Sequence, residues 1–302
     1  MLDSAVAIIS RPFRSGETYV APYAIVPSIA VMRVALLTLE ALASAAPVRR
    51  FVATYPDRVA FVALSDPYRP QQGGMLGQTW RLFRRSGLRL LPYLAVNFEL
   101  PRVARWLPQR DTSAERTPML ALCARLGIPA LTVADMNAPA FHDRLRASGA
   151  DIVLAFHCDQ ILSAATINCL SHGGLNVHAG LLPDHRGPVP TIHALLADRP
   201  RFGVTIHRLI PRIDAGPVLA QVRLDLPPGT SALQAAIHAH EAAVPQIIDV
   251  LDALARGNVT EAAVDPRPYC GFPTRAQLRQ LARMNRHAAS WRDVGRALRT
   301  PV

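Results

Sequence analysis

Between Pro118 and His178 short apolar runs alternate with helix-like segments at near-constant spacing, and few folds accommodate that rhythm. Pro118 to Leu126 reads as a helix and GIPALTV (127–133) as a strand. Asn137 is placed to N-cap a helix with Pro139 just inside it, running to Ala147 and ended by Gly149. DIVLAF (151–156) is a buried strand, 161–170 a helix, and GGLNVH opens another strand. This alternation predicts an α/β protein with a mostly parallel twisted sheet, helices on both faces, and ligands at the carboxyl ends of the strands.

The flanking segments extend the pattern. VMRVALLTL (31–39) and VAFVALS (59–65) are strand-length runs, with a helix expected between Glu40 and Tyr55. GVTIHRL (203–209) and VLAQVRLDL (218–226) read as two strands around the turn PRIDAGP. Ser231 and Gln234 fit a capping box that opens a helix to about Ala255. A last helix is expected over 274–288, with Arg275, Arg279, Arg283 and Arg286 along one side. The organisation that follows is an N-terminal extension (1–30), a main domain (31–256) interrupted by an insertion (66–117), and a basic helical tail (257–302). The insertion is longer than an ordinary loop, so it has its own helices or serves as a lid.

Half of the 302 residues are apolar and the mean hydropathy is +0.16, enough for a sizeable core and against whole-chain disorder. All 33 Lys and Arg residues are Arg, which excludes P-loop, Schiff-base and pyridoxal-phosphate lysines. The net charge of +11 is concentrated in two places. Eight Arg face one acid from Arg267 to Val302, and seven face one from Gln71 to Arg110. Such stretches attract anions, including phosphate esters, polyglutamate tails and nucleic acid. A solvated face in an Arg-biased chain is the plainer account. The same choice applies to Trp80, Arg81, Arg84 and Arg85, as an anion-binding lid or as a structural helix.

Cys123, Cys158, Cys169 and Cys270 form no CxxC pair and no zinc spacing, so reduced, buried thiols and no metal are expected. His238 and His240 diverge on a helix and do not make a metal site. The longest early uncharged run, 18–32, is too short to span a membrane, and Glu40 argues against a signal peptide over 32–46. A cytoplasmic location is expected, with no membrane partner.

The chemistry concentrates in 173–221. Asn176 and His178 are two apart on a strand and face the same side, while Asp214 sits in the turn between two later strands. An amide donor, an imidazole and a carboxylate can carry acyl transfer without a protein nucleophile: the amide stabilises an oxyanion, the imidazole moves a proton, and the carboxylate tunes it. A strand-end Asn-x-His is on its own more often structural.

The segment as a whole resembles the 10-formyltetrahydrofolate-dependent formyltransferases. The resemblance rests on Asn176, His178, LLP at 181–183, GVTIH at 203–207 and DAGP at 214–217, with 38 residues from Asn176 to Asp214. It covers roughly 118–256, and residues 1–30 and 66–117 have no counterpart. Gly180 departs from a Ser common in the family, a change expected to be tolerated. The resemblance implies a Rossmann-like, formyltransferase-type fold and 10-formyltetrahydrofolate as donor, with no metal. It implies catalytic roles for Asn176 on the formyl oxygen, His178 on the oxygen of the tetrahedral intermediate, and Asp214 in keeping His178 protonated. Thr205 and His207 would support Asp214. Backbone at Asp159, Gln160, Leu162 and 209–213 (Leu209, Ile213) would hold the pterin, with Phe156, Leu162 and Ile213 lining an apolar slot.

Eighty-eight residues follow Asp214, too few for the closing helix plus the extra barrel of methionyl-tRNA formyltransferases. RGPVP (186–190) is closer to the Arg-Gly-x-x-Pro form of the amino-sugar and methionyl-tRNA branches than to the glycinamide ribonucleotide branch. A small amine acceptor is therefore expected, an amino-sugar nucleotide or an amino-acid-derived precursor, with folate as the other partner and a homodimer allowed for. Nucleic acid is not expected as a partner. The alternatives are a formyltetrahydrofolate hydrolase, a methionyl-tRNA formyltransferase, and a catalytically silent Arg-rich nucleic-acid-binding module.

Overall fold

The computed structural model of the protein describes residues 31–66, 74–108 and 113–302. The readings of 1–30 and of 71–73 in the QQGG run lie outside the described residues. Seven strands form one sheet: β1 (Val34–Thr38), β2 (Val59–Ser65), β3 (Ala130–Val133), β4 (Ile152–Phe156), β5 (Gly174–His178), β6 (Phe202–Arg208) and β7 (Val218–Leu224). Their order is β3-β2-β1-β4-β5-β6-β7. The first five are parallel, and β6 and β7 add on antiparallel.

A strand covered on both faces has to be apolar at every position, and β1, β2 and β4 are buried throughout. Strand alternation sorts their side chains. Val34, Leu36, Val62 and Leu154 pack with Phe51, Leu122, Ala243 and Ile247 from helices Ala45–Thr54, Met119–Leu126 and Ala232–Ala255. Ala35, Leu37, Phe61, Ala63 and Val153 pack on the other face with Phe141 and Leu145 of helix Pro139–Ala147.

Several local expectations are corrected by tertiary contacts. Asn137 does not cap the helix after it; the N-cap is Ala138, and Asn137 instead staples a neighbouring loop, donating to Ile161 O (2.9 Å) and accepting from Ser163 N–H (2.7 Å). The helix expected over 161–170 shrinks to Ala164–Ile167, capped by Ser163. The helix expected over 274–288 ends at Arg283, because Asn285 adopts φ +51 and the Asn285 and Arg286 N–H groups fold back on Ala282 O and Leu281 O. Arg286 therefore leaves the Arg stripe and donates to Leu195 O (2.6 Å) and Asp198 O (2.9 Å). Ser231 does accept from Gln234 N–H, and its own hydroxyl donates to buried Asp293 of the tail at 2.7 Å. Of the four thiols only Cys123 is fully buried, and all four are free.

The insertion and the tail, far apart in sequence, build one structure. Leu90, Tyr93 and Val96 pack with Leu278, Leu281 and Ala297 and with Leu233 and Ile237 of the long helix. The chain end is tied in as well: Val302 N–H donates to Pro101 O (3.1 Å), and fully buried Arg49 donates to Pro301 O (2.7 Å). Among the described residues no helix is long and apolar enough to cross a membrane.

Candidate active site

The pairing of β5 with β6 sets Asn176 opposite His207 and His178 opposite Thr205. Asp214 follows in the β6–β7 turn with φ +45, a left-handed conformation that Asp tolerates better than most residues. Buried Arg186 holds that turn, donating through Nε to Ile213 O (3.0 Å) and Asp214 O (2.9 Å) and through Nη1 to Arg267 O (2.7 Å). The Asp214 carboxylate accepts from Gly187 N–H (2.8 Å) and Asn176 Nδ2 (3.2 Å), and lies 3.6 Å from His178 Nδ1 and 3.5 Å from His207 Nε2. His207 Nδ1–H donates to Arg208 O (2.9 Å), and its Nε2 accepts from Asn176 Nδ2 (3.0 Å). The amide orientation of Asn176 follows from this network, since the flipped form would set two oxygens against each other.

Electrostatics separate the roles. Burial pushes the Asp214 carboxyl up, but His178, His207 and the Gly187 N–H outweigh it and bring it down to about 2. Burial pushes His178 down, against the upward pull of Asp214, so its imidazole is neutral at pH 7. His178 Nε2 is buried and has no hydrogen-bond partner. Beside it lies Gly180, where a Cβ would stand 2.9 Å from Nε2 and 2.8 Å from Pro190 Cβ. A buried ring nitrogen ordinarily has a hydrogen-bond partner, so Nε2 is the polar atom of this network left to be satisfied.

The three residues Asn176, His178 and Asp214 are thus brought together, with His207 among them. Thr205 is not on Asp214: it donates to Gly180 O (2.7 Å) and accepts from Leu182 N–H (3.1 Å) and Gln221 Nε2 (3.0 Å), holding the loop under His178. Phe156 is fully buried against the His240 ring, centroids 5.6 Å apart, and does not line an open slot. Leu162 is buried with Met136 and Phe141. Asp159 is bonded by Ser65. The Gln160 side chain ties strand ends, accepting from Met136 N–H (2.9 Å) and donating to Ser65 Oγ (3.0 Å) and Val133 O (3.2 Å). Leu209 N–H is taken by Gly174 O (2.8 Å) and Ile213 O by Arg186. Arg186 and Gly187 are the site residues that sequence reasoning passed over. They stood in RGPVP, read there only as a branch marker. Among the described residues no group of His, Cys, Asp or Glu could hold a metal.

A doubly wound sheet with an amide, imidazole and carboxylate at one strand end defines an α/β enzyme of group transfer. Residues 108–251 match the family model described as formyl transferase. The chain is thus similar to that family over this segment, which is just under half of its length. Its fold is similar to that of a sugar N-formyltransferase from Shewanella sp. (TM-score 0.51, 18% identity, 89% of this chain and 88% of that one). It is also similar to glycinamide ribonucleotide transformylase 1 from Symbiobacterium toebii (TM-score 0.53, 16% identity, 78% and 95%). A third is an N-formyltransferase from Helicobacter canadensis in complex with folinic acid and dTDP-3-aminofucose (TM-score 0.50, 11% identity, 80% and 71%).

Proposed function

We propose that this enzyme moves a formyl group from 10-formyltetrahydrofolate to the primary amine of a small acceptor, an amino-sugar nucleotide in the first instance. The observation that carries the reading is the buried, unpartnered His178 Nε2 within a network that joins Asn176, Asp214 and His207. The donor supplies an activated formyl carbon on N10. The net change is one C–N bond made, one broken, and one proton passed from the acceptor nitrogen to N10.

The chain's own residues divide the work. Asn176 releases its longer bond, the 3.2 Å contact to Asp214, and turns that N–H to the formyl oxygen. His178 is neutral at pH 7 and gains proton affinity as negative charge grows on that oxygen, which faces Nε2. Asp214 is a weak base at about 2, so it serves by holding positive charge on His178 and by relaying the amine proton through water. Burial of the site strengthens each of these interactions.

The test is purified protein with 10-formyltetrahydrofolate and a panel of amines, including dTDP-linked amino sugars and glycinamide ribonucleotide. Formylated product with an amino-sugar nucleotide supports the reading. Donor hydrolysis with no formylated amine would replace it with the hydrolase. Wild-type turnover in Asn176→Ala would remove the assigned roles.

A further inference from the structure

A carboxylate acts on an imidazole only from a fixed position. Asp214 sits in a turn without regular structure, in a left-handed conformation at φ +45. Two distant parts of the chain hold it there. The loop after β5 brings Arg186 and Gly187 to the turn. A strap from the tail, 267–273, is then tied to that loop.

Arg186 is the junction. Its buried guanidinium donates to main-chain carbonyls on both sides: Ile213 and Asp214 in the turn, and Arg267 in the strap, 81 residues away (2.7 Å). The strap returns the contact, since Cys270 N–H donates to Arg186 O (2.8 Å). The next residue, Gly187, gives its N–H to the Asp214 carboxylate (2.8 Å). Gly187 has φ +130, and a Cβ there would overlap Cys270 O. Loop and strap therefore meet backbone to backbone at the residue that grips the carboxylate. The strap has pins elsewhere: His193 Nε2 of helix Pro190–Ala194 donates to Gly271 O (2.7 Å), and Ser86 Oγ donates to Pro273 O (2.6 Å).

A buried guanidinium is costly to leave short of acceptors. Release of the strap takes away the acceptor at Arg186 Nη1 and the donor at Arg186 O together. It also uncovers the backbone of Gly187. The strap is irregular and exposed over 267–269, the kind of segment that opens locally before the core does. The reacting carboxylate is thus held through a segment less stable than the sheet that carries Asn176 and His178.

We propose that the strap 267–271 is a working part of the reaction centre, and that Arg186 is the positioning residue through which its docking fixes the Asp214 carboxylate. The inference rests on the formyl-transfer reading for its effect on turnover.

The experiment measures amide hydrogen exchange and turnover in the full chain for wild type, Arg186→Lys and His193→Phe. Lysine keeps the charge but lacks the planar fork that reaches turn and strap at once. His193→Phe removes one pin of the strap and leaves Arg186 and Asp214 in place. Both variants are expected to exchange faster at Cys270 N–H and at Gly187 N–H, the second reporting the grip on Asp214. With a dTDP-linked amino sugar as acceptor, kcat is expected to fall about tenfold in Arg186→Lys and by less in His193→Phe. Wild-type exchange at Gly187 in both variants overturns the proposal. So does faster exchange at Cys270 with Gly187 and kcat unchanged, the signature of a strap that is only structural. If Arg186→Lys does not fold, His193→Phe decides by the same readings. Faster exchange at both amides, in variants of a wild type that formylates no amine, supports the coupling and instead removes the formyl-transfer reading.

Discussion

The Asn176 amide donates to the Asp214 carboxylate at 3.2 Å, across 38 residues of chain. The same NH2 group also serves His207 Nε2 at 3.0 Å, so both of its protons are in use. In the proposed role, donor binding would exchange one of these hydrogen bonds for another rather than fill a free donor. Preorganised donors of this kind are the largest single contribution in many acyl transfers.

Asn176→Ala removes the proposed oxyanion donor. Turnover is expected to fall ~100- to 1,000-fold, the range for loss of one such donor. Single-turnover formyl transfer, with circular dichroism to confirm folding, checks it.

Gly180→Ser sets a Cβ within 3.0 Å of both His178 Nε2 and Pro190 Cβ, so the imidazole has to shift. A cost of ~1–3 kcal/mol in stability is expected from overpacking. About tenfold in kcat goes with the displaced ring. Urea unfolding and kcat are the readouts. A variant as stable and active as wild type would mean that the loop held by Thr205 yields freely.

Arg49→Met strips the partner from Glu40 in an ion pair whose Arg side is fully buried and whose Glu side chain is 17% exposed. It also removes donors to Glu115 O (3.2 Å) and Pro301 O (2.7 Å). Unpairing a buried charge of this kind costs ~3 kcal/mol. The urea midpoint should drop accordingly, and carboxypeptidase should release Val302 faster. A change below ~1 kcal/mol would mark the pair as screened by solvent.

Acid destabilises this protein through its buried imidazoles. Burial, with the charge of His157 beside it, pushes His240 down to about 3, and His157 and His178 are pushed down by burial as well. Between pH ~6.5 and about 3 the unfolded chain binds the His240 proton and the folded chain does not. Stability therefore rises with pH across that window and is lost as pH falls through it, by up to ~1.4 kcal/mol per pH unit from His240 alone. Asp214, held at about 2, keeps its stabilising contribution until pH falls below ~4. Urea midpoints from pH 7 to 4 test this, and His240→Phe should flatten the profile.

Strand-length runs were legible because parallel strands buried on both faces must be apolar throughout; β2 coincides with its expected span and β1, β4 and β5 lie within theirs. Asn176, His178 and Asp214 stood out because period-two alternation and a strand–turn–strand pattern put polar groups at one end of the sheet. Those two rules act within a dozen residues and need no partner. What they could not reach was decided by contacts between distant segments. Asn137 left its cap for Ile161 and Ser163, and Arg286 left its stripe for the carbonyls after Ala194. Asn97 reached the turn after β1, and Tyr269 came to rest on Gly187. A side chain with several hydrogen-bonding options takes the one that packing brings near, and packing across hundreds of residues is not written in any local spacing.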